Sequence, residues 1–214
     1  MTTRDAGKVV TLGITGASGA ALAQAMVRVL DADRRVERVH LVASDAGLRL
    51  VASELGIVAQ DVKRLPALLA GSDAAKFEYL PNKDVGASIA SGSYRVDAMV
   101  VIPCSVGTLA SIACGTSDDL LARAADVCLK EGRRLVLCIR ETPLNRVHLE
   151  NMLRAQAAGA VIMPVVPAFY FGPKTIDDLV AQYIYRVLAQ MGLPQPGQFE
   201  WRGAPRRAKE KGKR

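Results

Sequence analysis

Apolar runs punctuated by glycine and proline recur along the chain, most of them without polar–apolar alternation. Val9–Ile14, Arg38–Val42, Ala98–Ile102 and Arg134–Ile139 each read as a strand, with Val161–Met163 as a shorter one. Runs of this length without alternation point to burial on both faces, as in a parallel sheet. Between them, helical periodicity predicts helices over Ala20–Leu30, Asp45–Leu55, Thr108–Ala113, Leu120–Lys130, Leu144–Ala158 and Thr175–Met191. Gly56–Arg95 is less periodic and rich in Gly, Ser, Asp and Pro, which predicts short elements and a surface excursion. Strands alternating with helices predict an α/β fold: three layers around a parallel sheet, flavodoxin-like or Rossmann-like, in a single domain.

Composition narrows this picture without redirecting it. A chain of 214 residues, half of them hydrophobic, suits one domain with a sizeable core. No apolar run is long enough to span a bilayer. The opening Met-Thr-Thr-Arg-Asp-Ala-Gly-Lys lacks a signal-peptide apolar region, so the cytoplasm is the expected compartment. The net charge of +7 hints at nucleic acid until it is located. From Arg202 onward there are seven basic residues and one acid, a net +6, which leaves +1 for the body. The charge therefore describes a basic tail over 202–214, expected to be disordered, and 1–201 forms the domain. Weak nonspecific electrostatic contact is the most such a tail suggests, and no nucleic-acid partner is expected. Cys104, Cys114, Cys128 and Cys138 show no CxxC spacing, and His40 and His148 lie far apart, so no metal site is expected. Buried, reduced thiols are the simple reading of all four cysteines.

Three places carry candidate chemistry. Gly13-Ile-Thr-Gly16-Ala17-Ser18-Gly19 follows a strand and opens a helix, the context of a phosphate-binding turn. It lacks both the Gly-x-Gly-x-x-Gly spacing and a Walker lysine, so a tight turn with no ligand is the alternative. Pro103-Cys104-Ser105-Val106-Gly107-Thr108 repeats the context; its hydroxyls suit a helix cap or, equally, a phosphate or flavin edge. The third place is the strand end Arg134-Leu-Val-Leu-Cys-Ile-Arg140-Glu141-Thr142-Pro143, where two opposite charges follow an apolar run. Ligands of open α/β sheets bind outside the carboxyl ends of the strands, so this pair suits anion binding and proton transfer better than packing. Lys130, Tyr170 and Arg186 join the set as possible members of a cationic cluster. Each, taken singly, reads as well as a helix-dipole charge, a packed ring or a solvated charge.

The segments GITGASGA, ASGSY, PCSVGTLASIA, LLARAADVCLKEGRRLVLCIRETPL, HLENM and GAVIMPVVPAFYFGPKTIDDLV closely resemble the flavin prenyltransferase family, in order and spacing, over about residues 8–201. The resemblance implies attachment of a dimethylallyl group from dimethylallyl phosphate to N5 and C6 of reduced FMN, without a metal. It also implies delivery of the prenylated FMN to a partner decarboxylase acting on aromatic or α,β-unsaturated acids. By the same resemblance, Gly16, Ala17, Ser18, Ser44, Ser105, Val106, Gly107, Thr108 and Arg140 line the FMN site. Tyr170 and Arg186 hold the dimethylallyl phosphate, joined by Lys130 from a neighbouring subunit of a homo-oligomer, a dodecamer in this family. Glu54, acting through Ser18, and Glu141 match positions implicated in proton handling, and Ser91 and Ser93 match a serine-rich loop near the flavin.

These residue types suit that chemistry. Breaking the C–O bond leaves an allylic cation and a phosphate, and Lys, Arg and Tyr donors stabilise the departing charge. The electron-rich flavin face stabilises the cation, and the released phosphate beside Glu141 is an acceptor for the proton lost from C6. Two other readings share the fold and the FMN site. An FMN-dependent cysteine decarboxylase would carry a catalytic His after the second helix and an Asn-containing substrate motif; His40 precedes Ser44 instead, and the corresponding loop reads Ala90-Ser-Gly-Ser-Tyr. A non-catalytic FMN carrier would have no use for Lys130, Glu141, Tyr170 and Arg186. Departures from the family are modest: Asp45 stands where many relatives have Lys, and Gly56–Asp84 matches poorly.

Overall fold

The computed structural model describes residues 7–203. Six strands form one all-parallel sheet: β1 (Lys8–Ile14), β2 (Val36–Ala43), β3 (Phe77–Pro81), β4 (Ala98–Cys104), β5 (Arg134–Ile139) and β6 (Val161–Ile162), in the order β3-β2-β1-β4-β5-β6. Of the two common doubly wound arrangements, this is the Rossmann-type order. The described helices are α1 (Ala20–Ala32), α2 (Asp45–Leu55), α3 (Leu65–Ala70), α4 (Val106–Cys114), α5 (Leu120–Lys130), α6 (Arg146–Ala157) and α7 (Ile176–Gln190).

The two-residue period of the strands divides the core into two layers. Val10, Leu12 and Ile14 of β1, with Val100 and Ile102 of β4 and Val136 and Cys138 of β5, pack on the side of α1, α3 and α7. Met99 and Val101 of β4, with Leu135, Leu137 and Ile139 of β5, pack on the side of α4 and α5. Every residue of β4 is buried, which is why its sequence shows no alternation.

Several element bounds differ from the sequence expectation: β2 starts two residues earlier, at Val36, α1 ends two later, at Ala32, and α6 starts two later, at Arg146. Gly56–Arg95 contains an edge strand, β3, whose five residues Phe-Glu-Tyr-Leu-Pro are only half-buried. An edge strand has one unpaired side and tolerates the terminal Pro81, so it lacks the long apolar run that marks the central strands. β4 continues through Pro103 to Cys104. α4 starts two residues before Thr108 because Ser105 caps it, its hydroxyl accepting the Thr108 N–H at 3.3 Å. The thiol expectation holds for Cys104, Cys128 and Cys138, all buried, and fails for Cys114, which is exposed at the end of α4. Burial pushes the Cys128 and Cys138 thiols up to about 12, so neither is a nucleophile near neutral pH. Of the basic tail, only Arg202 and Gly203 fall within the described residues, and both are exposed; 204–214 lie outside them.

Candidate functional site

β1 and β4 are neighbours in the sheet, yet the chain leaves them for opposite faces, through α1 and α4. This switch point opens a crevice at the carboxyl ends of the strands. Two turns meet there. The buried Thr15 hydroxyl donates to the Pro103 carbonyl and accepts the Ser105 N–H, each at 2.8 Å, and so fixes the β1 turn to the β4 turn. Sequence reasoning missed Thr15: a polar residue closing an apolar run gives no sign that both its hydrogen bonds cross to another strand. A third turn joins from β2. The Ser44 N–H donates to the Ile14 carbonyl at 3.0 Å, and its hydroxyl caps α2 by accepting the Gly47 N–H at 3.1 Å. Gly16 is needed for this approach, since a Cβ there would sit 2.4 Å from that of Ala46.

The amides that open α1 are already satisfied by the protein itself. Glu54, at the far end of α2, accepts the Gly19 N–H at 3.0 Å and the Ala20 N–H at 2.7 Å. Partial burial raises its pKa, but the Ser18 hydroxyl, the Ala20 and Gly19 amides and the Arg140 charge outweigh it and hold the carboxyl below the ordinary range. The Gly19 and Ala20 amides are thus taken, and Gly16, Ala17 and Ser18 meet a ligand by shape, with the Ser18 hydroxyl already engaged by Glu54. α4 differs. Its first turn holds no acid, and the Ser105 and Thr108 hydroxyls lie 3.1 Å apart beside the Val106 and Gly107 amides. Hydroxyls and a helix N-terminus form the donor set that an FMN phosphate or flavin edge requires. Arg140, just past β5, crosses the crevice and donates from Nε to the Ser18 carbonyl at 3.1 Å. Glu141 follows it, half-buried, accepting the Thr142 N–H at 3.0 Å.

Because the Glu54 pKa is depressed, its contribution is present above the ordinary carboxylate pKa and lost as pH falls through the lower folded value. Glu54→Gln is expected to remove the part of the acid-induced loss of folding stability that comes from this group. Denaturant unfolding between about pH 3 and 7 in both proteins checks this, the ordinary carboxylate pKa being about 4.3. Superimposable acid limbs would contradict it.

A second group of residues lies beyond β6. Arg186 on α7 donates from Nη1 to the Tyr170 hydroxyl at 3.3 Å, and both line a cavity of about 490 Å³ with walls of Ile162, Met163, Val166 and Phe171. The cavity thus joins a cation and a phenol to an apolar surface. Tyr170 also packs on Phe199 and Trp201, which the sequence reading left unassigned.

Lys130 is not in either group. α5 runs antiparallel to the strands it covers, so its last residue lies where β5 begins, at the edge of the sheet opposite Arg140. There Lys130 pairs with Glu131 and packs against Gly92, where a Cβ would stand 2.7 Å from its Nζ. Ser91 and Ser93, hydrogen-bonded to each other at 2.8 Å, belong to the same loop. Arg133 clamps that loop by donating to the Gly92 and Tyr94 carbonyls. Among the described residues, no three His, Cys, Asp or Glu side chains gather in a way that could hold a metal ion.

Residues 1–187 match the Flavoprotein family model. A probable UbiX-like flavin prenyltransferase of Escherichia coli O157:H7 is 45% identical over 194 residues, 91% of this chain and 93% of the relative. The flavin prenyltransferase UbiX of Halalkalibacterium halodurans is 46% identical, covering 86% and 89%. Among solved structures, AnUbiX (PadA1) in complex with FMN and dimethylallyl pyrophosphate superposes with a TM-score of 0.82 at 39% identity, over 93% of this chain and all of that one. A dodecameric FMN-dependent UbiX-like decarboxylase from E. coli O157:H7 gives 0.81 at 43% identity, over 91% of this chain and all of that one. The FMN-dependent cysteine decarboxylase TvaF, 15% identical with a TM-score of 0.58, shares the fold alone.

Proposed function

The chain belongs to the flavoprotein family and, within it, to the UbiX-like flavin prenyltransferases, and on that premise we propose that it transfers a dimethylallyl group from dimethylallyl phosphate to N5 and C6 of reduced FMN. The observation that carries this reading is the Tyr170–Arg186 pair on an apolar cavity. A prenyl phosphate needs an anion site joined to a hydrocarbon site; storage of FMN needs neither. Reduced FMN supplies the electron-rich N5 and C6 that receive the prenyl carbons. Gly16, Ala17, Ser18, Ser44, Ser105, Val106, Gly107, Thr108 and Arg140 hold and orient it along the crevice.

Arg186, Tyr170 and Lys130 take the phosphate, which leaves with the electron pair of the broken C–O bond; cationic and phenolic donors aimed at that charge lower the barrier without a metal. For the second bond the alkene left on the N5-prenyl group would take a proton at its middle carbon, C6 would bond to the tertiary carbon so formed, and the C6 proton would pass to the freed phosphate with Glu141 assisting. Glu54 accepts the Ser18 hydroxyl hydrogen, which fixes that oxygen as an acceptor toward the flavin. Lys130 is supplied by a neighbouring copy in a homo-oligomer, a dodecamer like that of the E. coli relative. Prenylated FMN then passes to a decarboxylase of aromatic or α,β-unsaturated acids. The free thiols suit a reducing compartment, the cytoplasm.

Anaerobic incubation with reduced FMN and dimethylallyl phosphate is expected to give a flavin whose mass has risen by one dimethylallyl group. Unchanged FMN, with both the monophosphate and the diphosphate offered, would leave only a carrier.

A further inference from the structure

The loop before β4 and the turn after α5 close on each other at the amino edge of the sheet. Gly132, at φ 63°, turns the chain back at the end of α5, and the Arg133 N–H donates to the Cys128 carbonyl at 2.8 Å. Arg133 thus stands close to Lys130, and its guanidinium reaches over to the loop. One arm donates to the Tyr94 carbonyl at 3.0 Å and the other to the Gly92 carbonyl. The planar fork suits two carbonyls at once, whereas an ammonium is a point charge on a flexible stem. On its inner side the loop is anchored in the core, where the Tyr94 hydroxyl lies 2.9 Å from Nε2 of the buried His40. Gly92 has no side chain, and the Lys130–Glu131 pair occupies the space one would fill. A Cβ there would stand 2.7 Å from Lys130 Nζ and would overlap the Glu131 carboxylate.

We propose that Gly92, held in place by Arg133, is a positioning residue: it is the seat that fixes the Lys130 ammonium toward the phosphate site of a neighbouring copy. The proposal rests on the reading of Lys130 as a phosphate donor supplied across a subunit junction. A lysine ordered only when its ligand arrives loses rotamer freedom at that moment. Here the ammonium is placed beforehand, between Gly92 and Glu131. Glu131 accepts one of its three protons, which leaves two for a phosphate. A methyl group at position 92 would evict the pair while disturbing the fold little. The atoms it meets first are side-chain ends, and the Lys130 and Glu131 side chains, 45% and 36% exposed, have room to swing away. Gly92 is also not among the glycines with positive φ, so Gly92→Ala brings no backbone strain.

The test measures, by titration calorimetry, the affinity of dimethylallyl phosphate for the full-length protein loaded with oxidised FMN, with which no transfer takes place. Lys130→Ala is expected to weaken binding by about 10- to 100-fold, the scale of a hydrogen bond to a charged group. Gly92→Ala is expected to weaken it at least about tenfold and to leave FMN affinity unchanged. Added to Lys130→Ala, it is expected to change binding by less than about twofold, since the seat has nothing left to position. Arg133→Lys is expected to weaken binding less, and it carries the test if Gly92→Ala does not assemble as the unsubstituted protein does. Unsubstituted affinity in Gly92→Ala, with Lys130→Ala impaired, overturns the proposal. Unsubstituted affinity in Arg133→Lys alone overturns the hold of Arg133 on the seat. A double variant weaker than Lys130→Ala by the full Gly92→Ala factor, or an equal loss of FMN affinity, overturns the action through Lys130. Unsubstituted affinity in Lys130→Ala overturns the underlying reading of Lys130, and the proposal with it.

Discussion

Arg186→Ala is expected to keep FMN bound and to lower the turnover number for prenyl transfer by about 10²–10³-fold, the usual effect of removing one donor from a developing anion. The Arg186 guanidinium meets the Tyr170 hydroxyl at 3.3 Å, on a cavity separate from the β1 and β4 turns. On the proposed reading, its loss removes charge from the leaving phosphate and leaves Ser105, Thr108 and Arg140 where they are. Truncation also frees the phenol, so the remaining donor loses its orientation as well as its partner. Arg186→Lys restores the charge but not the planar fork, and is expected to recover only part of the rate. Flavin fluorescence titration measures the first half of the expectation and adduct formation by mass the second. Turnover within a few-fold of the unsubstituted protein would remove Arg186 from the phosphate site.

The contrast between β4 and β3 shows what the sequence could and could not convey. β4 is buried on both faces, and its unbroken apolar run announced a central parallel strand. β3 pairs on one side only, and with Glu78 and Pro81 within it the segment read only as short elements in a surface excursion. The same holds at the site. Ser105 and Thr108 were legible as a strand-to-helix turn because capping and ligand binding use the same residue types. Glu54 was not legible by pattern. It lies on an exposed helix face, and its hydrogen bonds to Gly19 and Ala20 span more than thirty residues, so only family resemblance singled it out. Thr15 escaped both routes because its importance lies in contacts between distant turns. Periodicity reports which face is buried, not which backbone group lies opposite.

Chains carrying Lys130→Ala and chains carrying Arg140→Ala are each expected to be inactive alone and to regain activity when assembled together. The reason is the direction of α5. Lys130 ends that helix at the amino-terminal edge of the sheet, whereas Arg140 and the crevice lie at the carboxyl edge. No side-chain rotation carries an ammonium group across the length of a β-strand. A site that uses both Lys130 and Arg140 must therefore draw them from two copies of the chain. In oligomers assembled at random from equal amounts of the two variants, a junction is intact when Arg140 comes from the Lys130→Ala chain and Lys130 from the Arg140→Ala chain. About one quarter of the sites meet both conditions for a heterologous interface. Differently tagged chains, co-expressed and doubly purified, provide the mixed assemblies, and adduct formation per chain gives the recovery. Mixed assemblies as inactive as either parent would show that Lys130 and Arg140 do not share a site across a subunit junction. An active monomer would show that one chain suffices.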